Sequence, residues 1–352
     1  MAANMKKFQT AAVIENPGPS AEINIRNDVP VDEPGPNEIL VKLAFSGICG
    51  SEVRAFLGYG PYRPIVGHEG VGIVVKLGEQ VEESLFGQRV GVKWLFSACG
   101  QCSICLKGFH NNCPNQINTG RQVSGTFQQY VVADARYVTR IPENVPGEVA
   151  SPLLCAGLTM AGAVSKLDAQ LEKDDWVVIS GSGGGLGHIG VQIASRLRGY
   201  RVIAVDAGQS KRNLSLSCGA LHFIDFVEED VEKRVKDLTG EGAHSIVVVS
   251  GSEAAFRLAP KLVRNRGLIV AVGLPRNDFD IPIPATLCSA RALTVTGVAT
   301  GTEDQMTELL QFAAAGKIEP AVEVTDFAEI SQVFNKLKND KITGRIVIRI
   351  PQ

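Results

Sequence analysis

Apolar residues in the first 150 positions of the chain occur in short runs that glycine and proline interrupt. The clearest runs are EILVKLAFSG at 38–47, GVGIVVKLG at 70–78 and GQRVGVKW at 87–94. β-branched residues dominate these runs and no long helical period is present, a combination typical of strands. We therefore predict a twisted, antiparallel, barrel-like domain in this part of the chain.

The pattern changes near residue 151, where helix and strand patterns begin to alternate. WVVIS at 176–180 is typical of a fully buried strand, GLGHIGVQIASRLR at 185–198 of a helix, and YRVIAVD at 200–206 of a second strand. This alternation predicts a parallel sheet covered by helices. Because the closing strand GRIVIRI at 344–350 needs a sheet to join, we expect the tail to return to the first domain.

Composition narrows the class of protein. A length of 352 residues exceeds what one hydrophobic core usually serves, so two domains are expected. The net charge of −2 provides no basic surface for nucleic acid or an anionic membrane. Neither a signal peptide, a transit sequence nor a membrane span is recognisable. We expect a cytoplasmic protein with no nucleic-acid or membrane partner.

Half of the eight cysteines fall within the segment ACGQCSICLKGFHNNCPN; they are Cys99, Cys102, Cys105 and Cys113. Since stable disulfides are uncommon in a reducing cytosol, the spacing C-x2-C-x2-C-x7-C favours a closed tetrahedral zinc shell. An iron–sulfur cluster is the main alternative because Pro114 follows the last cysteine, although ferredoxins leave three residues before that cysteine rather than seven. A disulfide pair and a chance grouping of thiols are weaker alternatives. With four protein ligands, a zinc ion here would be structural.

A second metal position is suggested by Cys49, His68 and Cys155, which lie far apart in the chain. Each alone has an ordinary explanation, because a lone cysteine is usually a small buried hydrophobe and a lone histidine a hydrogen-bonded polar residue. Together they provide three zinc ligands and an open fourth position. Spacing alone leaves both interpretations open. We treat Cys218 and Cys288 as packing residues.

A glycine-rich turn follows the buried strand at 176–180 and precedes a helix. Its residues are Gly181, Gly183, Gly184, Gly185, Leu186 and Gly187. Glycine lets the backbone approach the pyrophosphate of a dinucleotide, whose charge the amides at the start of the helix would meet. A tight bend without a ligand is the alternative.

An acidic residue supports the dinucleotide interpretation. Asp206 ends the second strand, nineteen residues past Gly187, where a carboxylate can accept hydrogen bonds from an adenosine ribose. A carboxylate there repels a 2′-phosphate, so NAD is favoured over NADP. Lys211 could contact the same ribose or be a solvated cation, and the neighbouring Arg212 weakens the NAD preference.

The segments GHEGVG, GVKW, ACGQCSICLKGFHNNCP, GTFQQYVVADA, LLCAG and SGSGGGLG occur in an order that resembles the zinc-dependent medium-chain alcohol dehydrogenases, especially their tetrameric fungal branch. The resemblance covers nearly the whole chain. It implies an α/β protein with a GroES-like β catalytic domain at 1–155 and 297–352 and a Rossmann NAD-binding domain at 156–296. It also implies two zinc ions per chain, one catalytic and one structural, NAD(H) as cofactor, and a homotetramer.

The resemblance also assigns roles to single residues. Cys49, His68 and Cys155 would hold the catalytic zinc, which acts as a Lewis acid toward an alcohol oxygen. Glu69 would pair with Arg345 or approach the metal during ligand exchange. Arg345 is also assigned to the cofactor site.

The implied reaction is reversible hydride transfer between an alcohol and NAD, with an aldehyde or ketone as the counterpart. Ser51 would hydrogen-bond the alcohol oxygen and start the proton's exit, its alternative being a turn-capping hydroxyl. A polyol dehydrogenase is the main alternative function. A non-catalytic protein that binds NAD or zinc is the other.

Two residues beside the expected metal site depart from the ethanol-oxidising relatives. Gly50 stands where those relatives place a histidine or arginine near the cofactor phosphates, which predicts looser NAD(H) binding and motivates the polyol alternative. Arg54 stands where they have a relay histidine. Because arginine stays protonated, we predict that the proton relay ends at Ser51, the cofactor ribose and water.

The stretch before His68 also departs from the ethanol enzymes, since it is shorter and lacks their tryptophan. Trp94 is expected to form one wall of the substrate pocket, with Tyr59 and Tyr62 nearby. The altered wall predicts alcohols that are secondary or bulkier than ethanol. Glu52 would accept a hydrogen bond from His68 and so fix the orientation in which its ring binds the metal.

Overall fold

The computed structural model describes residues 7–275 and 279–352. The chain forms two compact units. The first consists of Met1–Cys155, Thr302–Ala314 and Val322–Gln352, and the second of Ala156–Gly301 and Ala315–Ala321.

Short strands dominate the described N-terminal part of the first unit. Two short α-helices and three single-turn 3₁₀ helices, at Glu83–Leu85, Cys105–Lys107 and His110–Asn112, accompany them. In chain order the elements are β1 (Phe8–Glu15), β2 (Glu22–Pro30), β3 (Glu38–Gly47), α1 (Gly50–Phe56), β4 (Gly70–Leu77), β5 (Arg89–Val92), β6 (Leu95–Ser97), β7 (Ile117–Asn118), β8 (Tyr130–Asp134), β9 (Thr139–Arg140) and α2 (Gly147–Pro152).

Strands and helices alternate through the second unit. They are α3 (Leu158–Ser165), β10 (Trp176–Ser180), α4 (Gly187–Gln192), β11 (Arg201–Asp206), α5 (Gln209–Ser217), β12 (His222–Asp225), α6 (Val231–Thr239), β13 (Ala243–Val248), α7 (Glu253–Leu262), β14 (Val263–Ala271), α8 (Ala285–Ala290) and β15 (Thr294–Gly297). The tail adds α9 (Glu303–Ala314), β16 (Val322–Asp326), α10 (Ile330–Lys338) and β17 (Arg345–Arg349).

The main sheet of the first unit runs β16–β17–β3–β4–β5–β9, with β8 also paired to β3. β17 pairs antiparallel with β3, Val347 opposite Gly47, so the expected return of the tail is confirmed. Register shifts between Leu40 and Val41, and between Leu43 and Phe45, interrupt the β3–β4 ladder. Such bulges bend a strand and increase its twist, as a barrel-like domain requires.

The core of the first unit follows from strand alternation. Ile39, Val41 and Leu43 project from one face of β3 and are fully buried. Phe127 and Ile348 belong to the same apolar cluster. β17 therefore contributes an apolar side chain as well as a ladder of hydrogen bonds.

The sheet of the second unit is parallel and runs β12–β11–β10–β13–β14–β15 within the described residues. This is the strand order of a Rossmann fold, and the predicted α/β architecture is confirmed. Every residue of β10 is buried, as its continuous apolar sequence indicates. The order reverses beside β10, and in such sheets ligands bind beyond the carboxyl end of the strands at this point.

The C-terminal domain boundaries differ from the prediction, in which the chain leaves the second domain once and rejoins the first at residue 297. β15 is still paired with β14 at Gly297, and the Val298 amide donates to the Ala271 carbonyl, so the second unit continues to Gly301. The connector Ala315–Ala321, defined here as the segment between α9 and β16, also belongs to the second unit.

One helical stretch is long and apolar enough to cross a membrane by length and composition. It covers Gly147–Ser165 and comprises α2, a π-helical turn at Leu153–Gly157, and α3. Because 83% of its apolar window is buried inside the protein, it is a core helix.

Candidate active site and metal centres

The four clustered cysteines come together in the first unit. The ligand atoms of Cys99, Cys102, Cys105 and Cys113 all lie within 4.8 Å of one another. The Sγ–Sγ distance between Cys113 and Cys99 is 3.5 Å, and between Cys99 and Cys105 it is 3.9 Å. All eight cysteines of the chain are free, so the disulfide alternative does not hold in this structure. We call this group the four-cysteine cluster.

Backbone amides surround these sulfurs. The Cys105 amide donates to Cys102 Sγ at 3.4 Å, and the Asn115 amide donates to Cys113 Sγ at 3.4 Å. Hydrogen bonds from the backbone of Gln101 and Cys102 lower the pKa of Cys99 to about 6, whereas burial and the neighbouring sulfurs raise the pKa of Cys105 to about 12. Because thiolates are the form that binds metal, the local backbone favours a closed zinc shell of four sulfurs.

The second cluster is assembled from three distant elements of the first unit. Cys49 precedes α1, His68 lies in the loop before β4, and Cys155 lies in the π-helical turn after α2. His68 Nε2 is 3.2 Å from Cys155 Sγ, and the two sulfurs are 3.9 Å apart. The sequence-predicted ligands are thus brought together, and all are buried.

Local backbone geometry directs two of these ligands. Gly67, with φ +99°, adopts a conformation that disfavours other residues, and a Cβ there would lie 2.6 Å from Thr126 Oγ1. This turn presents His68 to the cluster. The π-helical turn is a further departure from regular geometry, of a kind that recurs at functional sites, and it carries Cys155.

Glu52 connects two of the ligands. Its carboxylate accepts the backbone amide of Cys49 at 2.6 Å and lies 2.7 Å from His68 Nδ1. Burial acts to lower the pKa of His68, but Glu52 and Cys49 outweigh it and the pKa lies well above its ordinary value. With Nδ1 facing a carboxylate, Nε2 faces the sulfurs, which is the arrangement typical of a zinc-ligating histidine.

Glu69 is the fourth member of the cluster, with its ligand atom within 4.8 Å of the others. Arg345 donates to both of its carboxylate oxygens, and the two side chains are almost completely buried. Burial raises the pKa of Glu69 to about 7, and the guanidinium opposes that shift. Because Glu69 is bound to Arg345, the Cys–His–Cys set remains a three-ligand site. The assignment of Arg345 to the cofactor stays a prediction.

The donor set fits zinc. Two thiols and an imidazole with no disulfide between them are the ligands of a catalytic zinc that keeps one position for substrate. When bound there, the metal would be held by Cys49, His68 and Cys155. The four-cysteine cluster offers four sulfurs and fits a structural zinc.

Residues expected around the substrate lie in different surroundings. The Trp94 ring meets the His68 ring edge-on, with centroids 5.1 Å apart. Trp94 therefore lies beside the Cys–His–Cys ligand set. Ser51 Oγ is buried and has no hydrogen-bond partner among the residues that the structure describes. Tyr59 is exposed, with Arg54 over its ring at 5.7 Å, and Tyr62 is half-buried against the core. The structure does not bring the two tyrosines into the cluster.

The glycine-rich turn contains glycines of two kinds. At Gly183 and Gly187 an added Cβ would overlap Lys211 and the Gly181 carbonyl, respectively, so both are required by packing. At Gly184 an added Cβ would meet only the Gly181 carbonyl oxygen at 3.5 Å, an ordinary contact. Since the fold does not require glycine there, close approach of a ligand explains it better.

Asp206 lies beside this turn. Its carboxylate accepts the Gly183 amide at 2.9 Å and pairs with Lys211 Nζ at 3.1 Å. Lys211 is therefore a partner of Asp206 rather than a solvated cation. Arg212 packs over Phe223, 5.1 Å from the ring centroid, and lies 4.0 Å from Glu229.

Comparison with known proteins finds matches along most of the chain. Residues 35–143 match the alcohol dehydrogenase GroES-like domain, and residues 185–315 match the zinc-binding dehydrogenases. Alcohol dehydrogenase 2 of Emericella nidulans is 39% identical over 99% of both chains. The chain belongs to the zinc-dependent medium-chain alcohol dehydrogenases. This membership favours zinc over iron–sulfur in the four-cysteine cluster.

Two further relatives extend the comparison. An alcohol dehydrogenase of Geobacillus stearothermophilus is 40% identical, over 90% of this chain and 92% of its own length. The structure of an acetophenone reductase from Geotrichum candidum in complex with NAD superposes with a TM-score of 0.85 at 26% identity, covering 99% of this chain and 98% of the other.

Sequence reasoning missed Lys93, next to Trp94. Its side chain is buried, donates to Thr139 Oγ1 at 3.1 Å and pairs with Glu303 at 3.0 Å. The available signal was a lysine at the end of the apolar run VGVKW, because a lysine is rarely buried without a partner. Lys93 thereby anchors the end of β5, beyond which Trp94 lies.

Proposed function

We propose that this protein transfers a hydride reversibly between an alcohol and NAD, giving an aldehyde or ketone. The observation that carries the proposal is the buried convergence of Cys49, His68 and Cys155. When bound, zinc polarises the alcohol oxygen and NAD accepts the hydride. The protein holds the metal, orients the alcohol and moves the proton.

The proton leaves through Ser51. Its buried Oγ lacks a partner within the described part of the chain, so it is available to accept a hydrogen bond from the alcohol. Arg54, one turn further along α1, has a guanidinium group, which offers no acceptor and cannot continue the relay. Among the side chains of this chain the relay would therefore end at Ser51, from which a bound cofactor's ribose and water would take the proton.

The substrate is a secondary alcohol or one bulkier than ethanol. Trp94 provides an aromatic wall beside His68, which suits an apolar group larger than a methyl. The relative from Geotrichum candidum is named for a bulky ketone, in agreement with this proposal. The assignment of Tyr59 and Tyr62 to this pocket rests on the sequence alone, since Tyr59 is exposed and Tyr62 packs against the core.

NAD is preferred to NADP because Asp206 repels a 2′-phosphate. The cofactor-binding set consists of Gly181, Gly183, Gly184, Gly185, Leu186, Gly187, Asp206, Lys211 and Arg345. We further propose a cytoplasmic homotetramer that binds neither nucleic acid nor membrane.

The test is a panel of ethanol, 2-butanol, 1-phenylethanol, benzyl alcohol and sorbitol, with NAD or NADP, together with zinc analysis. We expect two zinc ions per chain and the highest kcat/KM with NAD and 1-phenylethanol. A preference for sorbitol would make the protein a polyol dehydrogenase. Bound zinc without turnover of any alcohol or of the corresponding carbonyl compounds would overturn the proposal.

A further inference from the structure

His188, in the first turn of α4, is a buried histidine that belongs to neither group of candidate metal ligands. Its Nδ1 lies 2.7 Å from the carbonyl oxygen of Gly184, and its Nε2 lies 3.1 Å from the backbone nitrogen of Ala321. Because the Ala321 N–H can only donate, Nε2 accepts and the ring proton is on Nδ1. The neutral ring therefore donates to Gly184 and accepts from Ala321.

Gln192 lies one turn further along α4 and contacts the same connector. Its Nε2 donates to the Glu319 carbonyl at 2.9 Å, and its Oε1 accepts the Glu319 amide at 2.9 Å. His188 and Gln192 thus both hold the connector Ala315–Ala321 on the second unit. They differ in one respect: the ring of His188 also bonds the glycine-rich turn, at Gly184.

The Gly184 carbonyl accepts two hydrogen bonds from His188, one from its backbone amide at 3.2 Å and a shorter one from its ring at 2.7 Å. The ring bond adds to the backbone bond in fixing the direction of the neighbouring amide. In a trans peptide the C=O and the following N–H point in opposite directions. Holding the Gly184 carbonyl toward His188 therefore turns the Gly185 N–H away from the helix interior. Gly184 is also a position where an added Cβ would meet no close contact, so packing does not explain why a side chain is absent there.

We propose that His188 is a positioning residue for the cofactor pyrophosphate: it holds the Gly184–Gly185 peptide so that the Gly185 N–H points to the bound diphosphate. This inference rests on the proposed NAD-dependent function. The connector supplies the second anchor, because the Ala321 amide selects the ring tautomer that can donate to Gly184. A merely structural histidine would stabilise the unit without affecting cofactor affinity.

Direct titration of NADH fluorescence separates these roles, with thermal stability measured on every variant. His188→Ala removes both ring hydrogen bonds and keeps the backbone bond from residue 188 to Gly184. We expect it to raise the Kd for NADH about tenfold, the size of effect that one lost hydrogen bond has. His188→Asn keeps an amide donor at the position of Nδ1 and should restore the Kd to within about threefold. His188→Gln places its amide at the position of Nε2, out of reach of Gly184, and should bind NADH weakly.

Gln192→Leu is the matched control, since it disrupts the connector and leaves the glycine-rich turn untouched. We expect it to lower the melting temperature and to leave the Kd for NADH within about twofold. If the Kd follows melting temperature across all four variants, His188 has only a structural role. An unchanged Kd in His188→Ala overturns the inference while the function stands, whereas a wild-type chain that binds no NADH overturns both.

Discussion

The two cysteine clusters of this protein are built in opposite ways. The four-cysteine cluster takes all its ligands from one loop of the chain, and backbone amides of that loop donate to its sulfurs. The Cys–His–Cys cluster takes its ligands from positions 49, 68 and 155, and side chains surround it. A local site depends on the geometry of its loop, whereas a long-range site depends on the whole first unit.

The charges around the two clusters differ as well. The Cys–His–Cys cluster is buried with Glu52, Glu69 and Arg345, so acidic and basic side chains both lie next to the metal ligands. The four-cysteine cluster packs against the apolar residues Leu95 and Ala98. Titratable neighbours can orient metal ligands and transfer protons, and apolar neighbours cannot. This difference matches a catalytic and a structural role.

The largest expected effect is on catalysis, from Cys155→Ser. Loss of one thiolate from the three-ligand set should reduce kcat/KM by at least about 10³-fold, because the Lewis acid is lost or misplaced. Zinc content should fall from two ions to one per chain, with an unchanged circular dichroism spectrum. Cys218→Ser is the control, since Cys218 is also buried but lies outside both clusters. Retained turnover in Cys155→Ser would contradict the catalytic assignment.

The next effect is on stability, from Cys105→Ser in the closed shell. Removing a structural zinc ligand should cost about 3–5 kcal/mol of unfolding free energy and lower the melting temperature by about 10 °C. The activity per folded molecule at room temperature should change little. Calorimetry with zinc analysis measures the first result, and initial rates measure the second. Equal losses of activity from the Cys105 and Cys155 variants would remove the distinction between the clusters.

A smaller effect is expected from Glu52→Gln, which tests the support behind a ligand. Glutamine keeps the length of the side chain and can still accept the Cys49 amide, but it loses the charge facing His68 Nδ1. Zinc affinity or kcat/KM should fall about 10–100-fold. The rate of zinc loss to a chelator, followed alongside kcat/KM, distinguishes this from a folding defect. If neither quantity changes, Glu52 does not orient His68.

The smallest effect is expected within the loop of the four-cysteine cluster itself. Leu106 follows a cysteine ligand but is 75% exposed, so Leu106→Ser should change stability by no more than about 0.5 kcal/mol. Urea unfolding of Leu106→Ser and of Cys105→Ser, measured side by side, shows whether the loss of unfolding free energy is limited to the metal ligands. A loss of stability comparable with that of Cys105→Ser would show that side-chain packing, rather than the metal, holds the four-cysteine loop together.

Several elements were predictable from local sequence because their residues share one environment. β3 and β10 have the bounds that their apolar runs indicate, since a buried strand needs a continuous or alternating apolar pattern. Helix α1 was missed because only seven residues form it, too few for a helical period to emerge. The connector Ala315–Ala321 was assigned to the wrong unit because side chains of a distant helix, His188 and Gln192, hold it.

The sequence by itself determined the four-cysteine cluster, the glycine-rich turn and the alternation that makes a Rossmann sheet, because each depends on residues close together in the chain. The family resemblance implied that Cys49, His68 and Cys155 meet and that Glu69 pairs with Arg345, and the tertiary structure shows both contacts. Only the tertiary structure revealed that His188 joins the turn to the connector. Strand pairing and helix packing bring groups that are distant in the chain within bonding distance, and spacing along the chain carries no record of those contacts.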